Sequence, residues 1–165
     1  EGARVSTPVK QISPFNDYAK AGLKGWQSYL GPTKGFDEMV FNLVPYSDAE
    51  GNTLAVLNNK AGSAGVAVGY NTKQLPVLTL WKNTDTRAQG YVTGIEPGTS
   101  YAYSTKYQRP LGLVPKIQPG ETKTFDLTYR LLRNGEEVKQ ALAQVDKIQA
   151  GRPTELREQP LVKLP

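Results

Sequence analysis

A mainly β chain, an antiparallel sandwich closed by one C-terminal helix, is predicted by three observations. Residues 123–132 alternate, with Phe125, Leu127, Tyr129 and Leu131 apolar and Thr124, Asp126, Thr128 and Arg130 polar. That period of two buries one face of a strand and wets the other. The chain carries 16 Gly and 12 Pro in 165 residues, a density that suits many short strands joined by tight turns. Only one stretch changes period: Val138, Ala141, Leu142, Val145 and Ile148 fall at helical spacing.

Taken in order, residues 1–13 read as an extended piece in which Val5, Val9 and Ile12 are apolar and Pro8 interrupts, the pattern of an edge or irregular strand. Residues 14–36 read as a long loop punctuated by Gly and Pro. Its rings Phe15, Tyr18, Trp26, Tyr29 and Phe36 either pin it to the surface or form the rim of a cleft. A strand over 38–46 follows, then an acidic turn. Asp48, Glu50 and Asn52 alternate like a calcium loop, but Gly51 is misplaced and the distal Glu is missing, so a plain turn is expected. Thr53–Leu57 and Ala64–Tyr70 make a hairpin around an Asn- and Gly-containing bend. Pro76–Lys82 and Tyr91–Glu96 are two more strands, residues 97–122 are irregular, and 123–132 is the alternating strand. Asn134 with Glu137 three residues on is a capping-box-like start for a helix over roughly 136–149, which Gly151 and Pro153 end. The domain reading is a β-sandwich portion over 1–133, the helix over 134–150 and a surface tail over 151–165.

Composition excludes several functions. With no Cys and no His, the chain has no disulfide, no thiolate nucleophile, no cysteine- or imidazole-based metal site and no catalytic triad. No metal and no cofactor is expected. The net charge of +5 is scattered over the chain rather than clustered, so no nucleic-acid partner is expected. No apolar run reaches membrane-spanning length, so no membrane partner is expected, and residues 1–20 lack the apolar core of a signal peptide. Absence of Cys suits an exported, periplasmic protein and also a cytoplasmic one, so the compartment stays open. The opening Glu-Gly without Met reads as a processed or trimmed product.

Chemistry concentrates in residues 76–99, PVLTLWKNTDTRAQGYVTGIEPGT. Glu96 is expected where a strand stops, backed by stiff Pro97 and flexible Gly98. There it either forms a salt bridge to Lys82 or Arg87, or serves acid/base chemistry from a fixed, reachable position. Trp81 and Lys82 end the neighbouring strand. Lys82 is expected within reach of Glu96, contacting a ligand hydroxyl or holding the carboxylate ionised. The alternative makes Trp81 core and Lys82 a solvated strand-end charge.

The segments LPVLTLWKN, GYVTGIEPGT and LVPKIQPGETKTFDLTYRLL, with EGARVSTPVK and GFDEMVF before them, resemble the C-terminal half of an aldose 1-epimerase-like family (DUF4432 type) of the galactose mutarotase-like superfamily. The resemblance covers most of residues 1–133 and implies a supersandwich fold and a carbohydrate partner. It implies that Glu96 is the general base acting on the anomeric hydroxyl, and that Glu38 matches an acidic position among the substrate-binding residues with Trp81 and Lys82; read from the residues alone, Glu38 is equally a solvated charge at the start of a strand. Epimerases of the superfamily use His as the acid, and this chain has none. The expectation is that the acid belongs to an N-terminal half absent here, so that apolar strand faces are covered by that half or by a copy of this chain. Two other readings stay open: a non-catalytic carbohydrate-binding module, and a sandwich adaptor whose groove takes a protein segment.

Overall fold

The computed structural model describes residues 1–162. Two sheets face each other. The four-stranded sheet has the order β1 (Arg4–Ser6), β4 (Asn52–Asn58), β5 (Gly65–Asn71), β8 (Leu127–Leu132). The five-stranded sheet has the order β7 (Val92–Gly98), β6 (Val77–Asn83), β3 (Met39–Pro45), β2 (Val9–Pro14), β9 (Glu155–Leu156). All pairings are antiparallel except that of β2 with β9. The expected mainly β, antiparallel sandwich is therefore what forms.

The proline at position 8 does more than interrupt a strand. Arg4–Ser6 pairs with β4 in one sheet, and Val9–Pro14 pairs with β3 in the other. The chain changes sheets across Thr7-Pro8, where a residue with no N–H costs no ladder bond. Thr7 is held at the crossing by donating its hydroxyl to the Leu54 carbonyl at 2.9 Å.

Between the sheets lies an apolar core. Phe41, Leu43, Leu78, Leu80 and Ile12 from the larger sheet meet Val5, Ala55 and Tyr70 from the smaller one, all at most 5 % exposed. The expected loop over 14–36 contains a short helix, α1 (Asp17–Ala21), whose Ala19 N–H donates to the Asn16 side chain at 2.9 Å. Its rings Trp26 and Tyr29 are buried in that same core, so they close the sandwich rather than rim a cleft.

A second cluster joins the outer face of the four-stranded sheet to the C-terminal helix, α3 (Gly135–Gln149). Val138, Ala141, Val145 and Ile148 sit on Leu54, Val56, Ala67 and Leu132. The helix starts where the sequence places it: Asn134 Oδ1 accepts from the Glu137 N–H at 2.9 Å, and the Glu137 carboxylate accepts from the Arg133 N–H at 2.9 Å. After Ala150 and Gly151, both at positive φ, the chain does not dangle. Thr154 donates to the Val9 carbonyl at 2.8 Å and Glu155–Leu156 adds β9 to the edge of β2. The last three residues of the expected tail lie outside the described residues.

The alternating strand is β8, and here the outcome differs from the one-face-buried expectation. Phe125, Leu127, Tyr129 and Leu131 are 43, 38, 71 and 71 % exposed. The period says which side is apolar; it does not say that a cover is present.

Candidate active site

The site is set by register across four strands. Ser13 of β2 lies opposite Asn42 of β3, Asn42 opposite Thr79 of β6, and Thr79 opposite Glu96 of β7. Directly opposed residues in an antiparallel sheet share a face. One row of polar side chains therefore crosses the five-stranded sheet on the face turned away from the core. The next row on that face is Val40, Trp81 and Gly94. The apolar partners in the same strands, Phe41, Leu43, Leu78 and Leu80, point inward.

The row grades from covered to open. Ser13, Asn42 and Thr79 are 1, 2 and 7 % exposed, whereas Glu96 is exposed. The cover is the segment after β7. Ala102 donates its N–H to Asn42 Oδ1 at 3.0 Å, and Tyr103 stacks on Phe15 with centroids 4.8 Å apart. Gln108, in the short helix α2 (Thr105–Gln108), is 1 % exposed and clasps the segment. It accepts from the Tyr101 N–H at 3.1 Å and donates to the Tyr101 and Tyr103 carbonyls at 3.0 and 2.5 Å. Beneath this cover, Ser13 Oγ, Asn42 Nδ2 and the Trp81 indole N–H have no hydrogen-bond partner among the described residues. Unmatched buried polar groups are rare and costly, and three fall on this one face.

Glu96 is not at the end of its strand. β7 runs on through Pro97 to Gly98, and a proline is accepted because β7 is the sheet edge. The carboxylate lies back over Gly94: a Cβ at that position would collide with Glu96 Oε1. Gly94 pairs with Trp81, so the missing side chain is what lets the carboxylate lie back toward the ladder position opposite Trp81. Among the described residues the ion pairs are Lys20–Glu158, Lys123–Glu121 and Arg157–Glu155; Glu96 is in none of them. The salt-bridge reading with Lys82 or Arg87 has no support in this geometry.

Lys82 is on the other face. Its strand partner is Thr93, and alternation turns it inward, away from Glu96. It is buried, donating to the Trp26 and Ser28 carbonyls at 2.8 and 2.5 Å, with its ammonium 4.4 Å from the centre of the Tyr29 ring. Burial pushes its pKa down to about 8. Tyr29, its own pKa raised by burial, shares a 2.8 Å hydrogen bond with Thr93 Oγ1, which donates to the Trp81 carbonyl at 2.6 Å. Lys82 thus staples the 23–29 turn to β6. Glu38 is exposed one residue before β3, its N–H donating to Asp37 Oδ1 at 2.8 Å. Four residues of extended chain, about 13 Å, separate it from Asn42 in the polar row. The structure brings Trp81 to Glu96; it brings neither Lys82 nor Glu38 there.

Sequence reasoning missed Ser13, Asn42, Thr79, Gly94 and Gln108. A signal was present for two of them: Asn42 stands alone in MVFNLV and Thr79 in VLTLW. A lone polar residue inside an apolar strand asks for a partner or a function.

No curated protein matches the chain. A crystal structure described as that of a "putative aldose 1-epimerase" from Klebsiella pneumoniae subsp. pneumoniae MGH 78578 superposes with a TM-score of 0.97 at 54 % identity. The match covers 99 % of this chain and 43 % of that one, so the chain spans less than half the length of this homologue. The family model described as a domain of unknown function, DUF4432, matches residues 1–131. The chain belongs to the DUF4432 family.

Proposed function

We propose that the chain is the base-bearing part of a mutarotase-type, carbohydrate-active protein that interconverts sugar anomers. The observation that carries this reading is the placement of Glu96: an exposed carboxylate, outside any ion pair among the described residues, lying over Gly94 beside Trp81 at the open end of a polar row. The homologue's description supports the same reading.

The chemistry follows from those groups. The Glu96 carboxylate takes the proton from the anomeric hydroxyl while an acid protonates the ring oxygen. The bond from the anomeric carbon to the ring oxygen breaks, leaving an open-chain aldehyde. Rotation about the adjacent carbon–carbon bond presents the other carbonyl face. Reclosure returns both protons, so the enzyme ends unchanged. Trp81 offers an apolar flank to the sugar ring, beside the exposed Glu96 carboxylate at the open end of the row. The chain has no His, and Ser13, Asn42 and Thr79 are not acids at neutral pH. The family resemblance, in which a histidine is the acid, places that acid in the portion of the longer family chain that this chain does not span.

Glu96→Gln keeps shape and hydrogen-bonding capacity and removes the base. In the completed protein, anomer interconversion measured by NMR exchange should fall by roughly 10²–10⁴-fold, the usual contribution of a positioned base, with sugar binding weakened far less. An unchanged rate rejects the role. The second reading, a non-catalytic carbohydrate-binding module, is favoured by sugar binding without anomerisation in the completed wild type.

A further inference from the structure

The strand that carries Glu96 is weakly held by its own sequence. β7 is hydrogen-bonded to β6 alone. It reads VTGIEPG, in which Gly94 and Gly98 add no side-chain packing and Pro97 gives no ladder donor. Of its branched apolar side chains, Val92 is 45 % exposed and Ile95 packs on the core. So few anchors specify register poorly, and a slip of one residue would turn Glu96 to the opposite face.

A bracket on the inner face supplies what the strand lacks. The Thr93 hydroxyl has one proton, and it donates that proton to the Trp81 carbonyl at 2.6 Å. The 2.8 Å hydrogen bond between Tyr29 and Thr93 Oγ1 is therefore donated by Tyr29. The bonds run from the Tyr29 hydroxyl through Thr93 to Trp81, the ladder partner of Gly94. Tyr29 is itself held: it is 6 % exposed in the core, and the Lys82 ammonium stands 4.4 Å from its ring centre. Lys82 in turn donates to the Trp26 and Ser28 carbonyls. A second tie lies beside the first, where the Tyr91 hydroxyl donates to the Leu30 carbonyl. Residues 26–30 thus grip β6 through Lys82 and the β7 side through Thr93 and Tyr91. The grip falls next to Gly94, over which the Glu96 carboxylate lies.

We propose that Thr93, oriented by Tyr29, is a positioning residue for Glu96: its hydroxyl fixes β7 in the register that turns Gly94 and the carboxylate to the outer face. The inference rests on the proposed role of Glu96 as the base. Thr93→Val keeps the shape and removes the hydroxyl, whereas Thr93→Ser keeps the hydroxyl. In the 165-residue chain, hydrogen exchange of the backbone amides over 92–96 should quicken by about tenfold in Thr93→Val and stay near wild type in Thr93→Ser. In the completed protein, Thr93→Val should slow anomer interconversion by at least about tenfold, as a displaced catalytic group does, and Thr93→Ser should not. Added to Glu96→Gln, Thr93→Val should cost little more, because no base is left to position. A general weakening of the fold would instead cost the same factor in both backgrounds, and that result overturns the proposal. So does unchanged exchange or an unchanged rate in Thr93→Val, or a Thr93→Ser variant as slow as the Val one. Should Thr93→Val not fold, Tyr29→Phe, which keeps the ring in the core and removes only the donor to Thr93, is read against the same outcomes. An unchanged rate in Glu96→Gln would reject the base alone, and exchange over 92–96 then decides whether the bracket sets the register of β7.

Discussion

Gly94 and Glu96 act as a pair. A carboxylate two residues along a strand from its neighbour points to the same side, and the space it occupies exists only because position 94 has no Cβ. Gly94→Ala should therefore move the carboxylate away from Trp81 without unfolding an edge strand, where Ala is tolerated better than Gly. The expected outcome in the completed protein is a melting temperature at or slightly above wild type and an anomerisation rate lowered by at least about tenfold, since misplacing a catalytic group by an ångström can cost 10²-fold. A rate at the wild-type level would show that the observed carboxylate position is not the working one. The partnership was not legible in the sequence. The turn residues around Glu96 single it out in the sequence, but Gly94 reads there as one of 16 glycines, and only the pairing of Trp81 with Gly94 shows what it makes room for. Lys82 failed for a related reason. Adjacent residues in a strand face opposite ways, so Trp81 and Lys82 could not both face Glu96.

Elements with a strong local signal came through well. The helix cap at Asn134, the β4–β5 hairpin and the β6–β7 pair follow from capping chemistry, turn residues and alternation, which act over a few residues. Sheet membership did not come through, because it depends on contacts far apart in sequence. Nothing local says that β1 and β2, two residues apart, belong to different sheets, or that the tail returns to β2 as a parallel strand. The helix also shows how a local signal becomes global. Asn134 satisfies the N–H of Glu137, and α3 then seals Leu54, Val56 and Leu132. Asn134→Ala should cost about 1 kcal/mol, lowering the melting temperature by about 2–4 °C for a chain of this size. Asn134→Asp should restore it. A loss shared equally by both variants would place the effect outside the cap.

At the scale of the whole molecule, the stability should carry the signature of one buried ammonium. Lys82 faces the Trp26 and Ser28 carbonyls and the Tyr29 ring, and no carboxylate pairs with it among the described residues. Its pKa falls from 10.5 to about 8 because burial disfavours the charged form. Below about pH 8 the lysine is charged in both the folded and unfolded states, and the folded state bears the full desolvation cost. From about pH 8 upward the folded protein releases the proton while the unfolded chain still holds it. The unfolded state then binds more protons, so stability rises with pH. The neutral amine keeps two N–H groups, enough for both carbonyls. The rise is opposed near pH 10, where tyrosines of the unfolded chain ionise while buried Tyr29 and Tyr70, whose pKa values are raised by desolvation, stay protonated in the fold. The urea midpoint of the wild type should therefore increase between pH 7.5 and pH 9.5. Lys82→Met removes the titrating group and leaves two carbonyls unmatched, so its midpoint at pH 9.5 should lie below wild type. Its dependence on pH over the same interval should be flat. A flat wild-type profile, or a Met variant that keeps the slope, would show that the ammonium is solvated and that the staple between the 23–29 turn and β6 is not the buried one described.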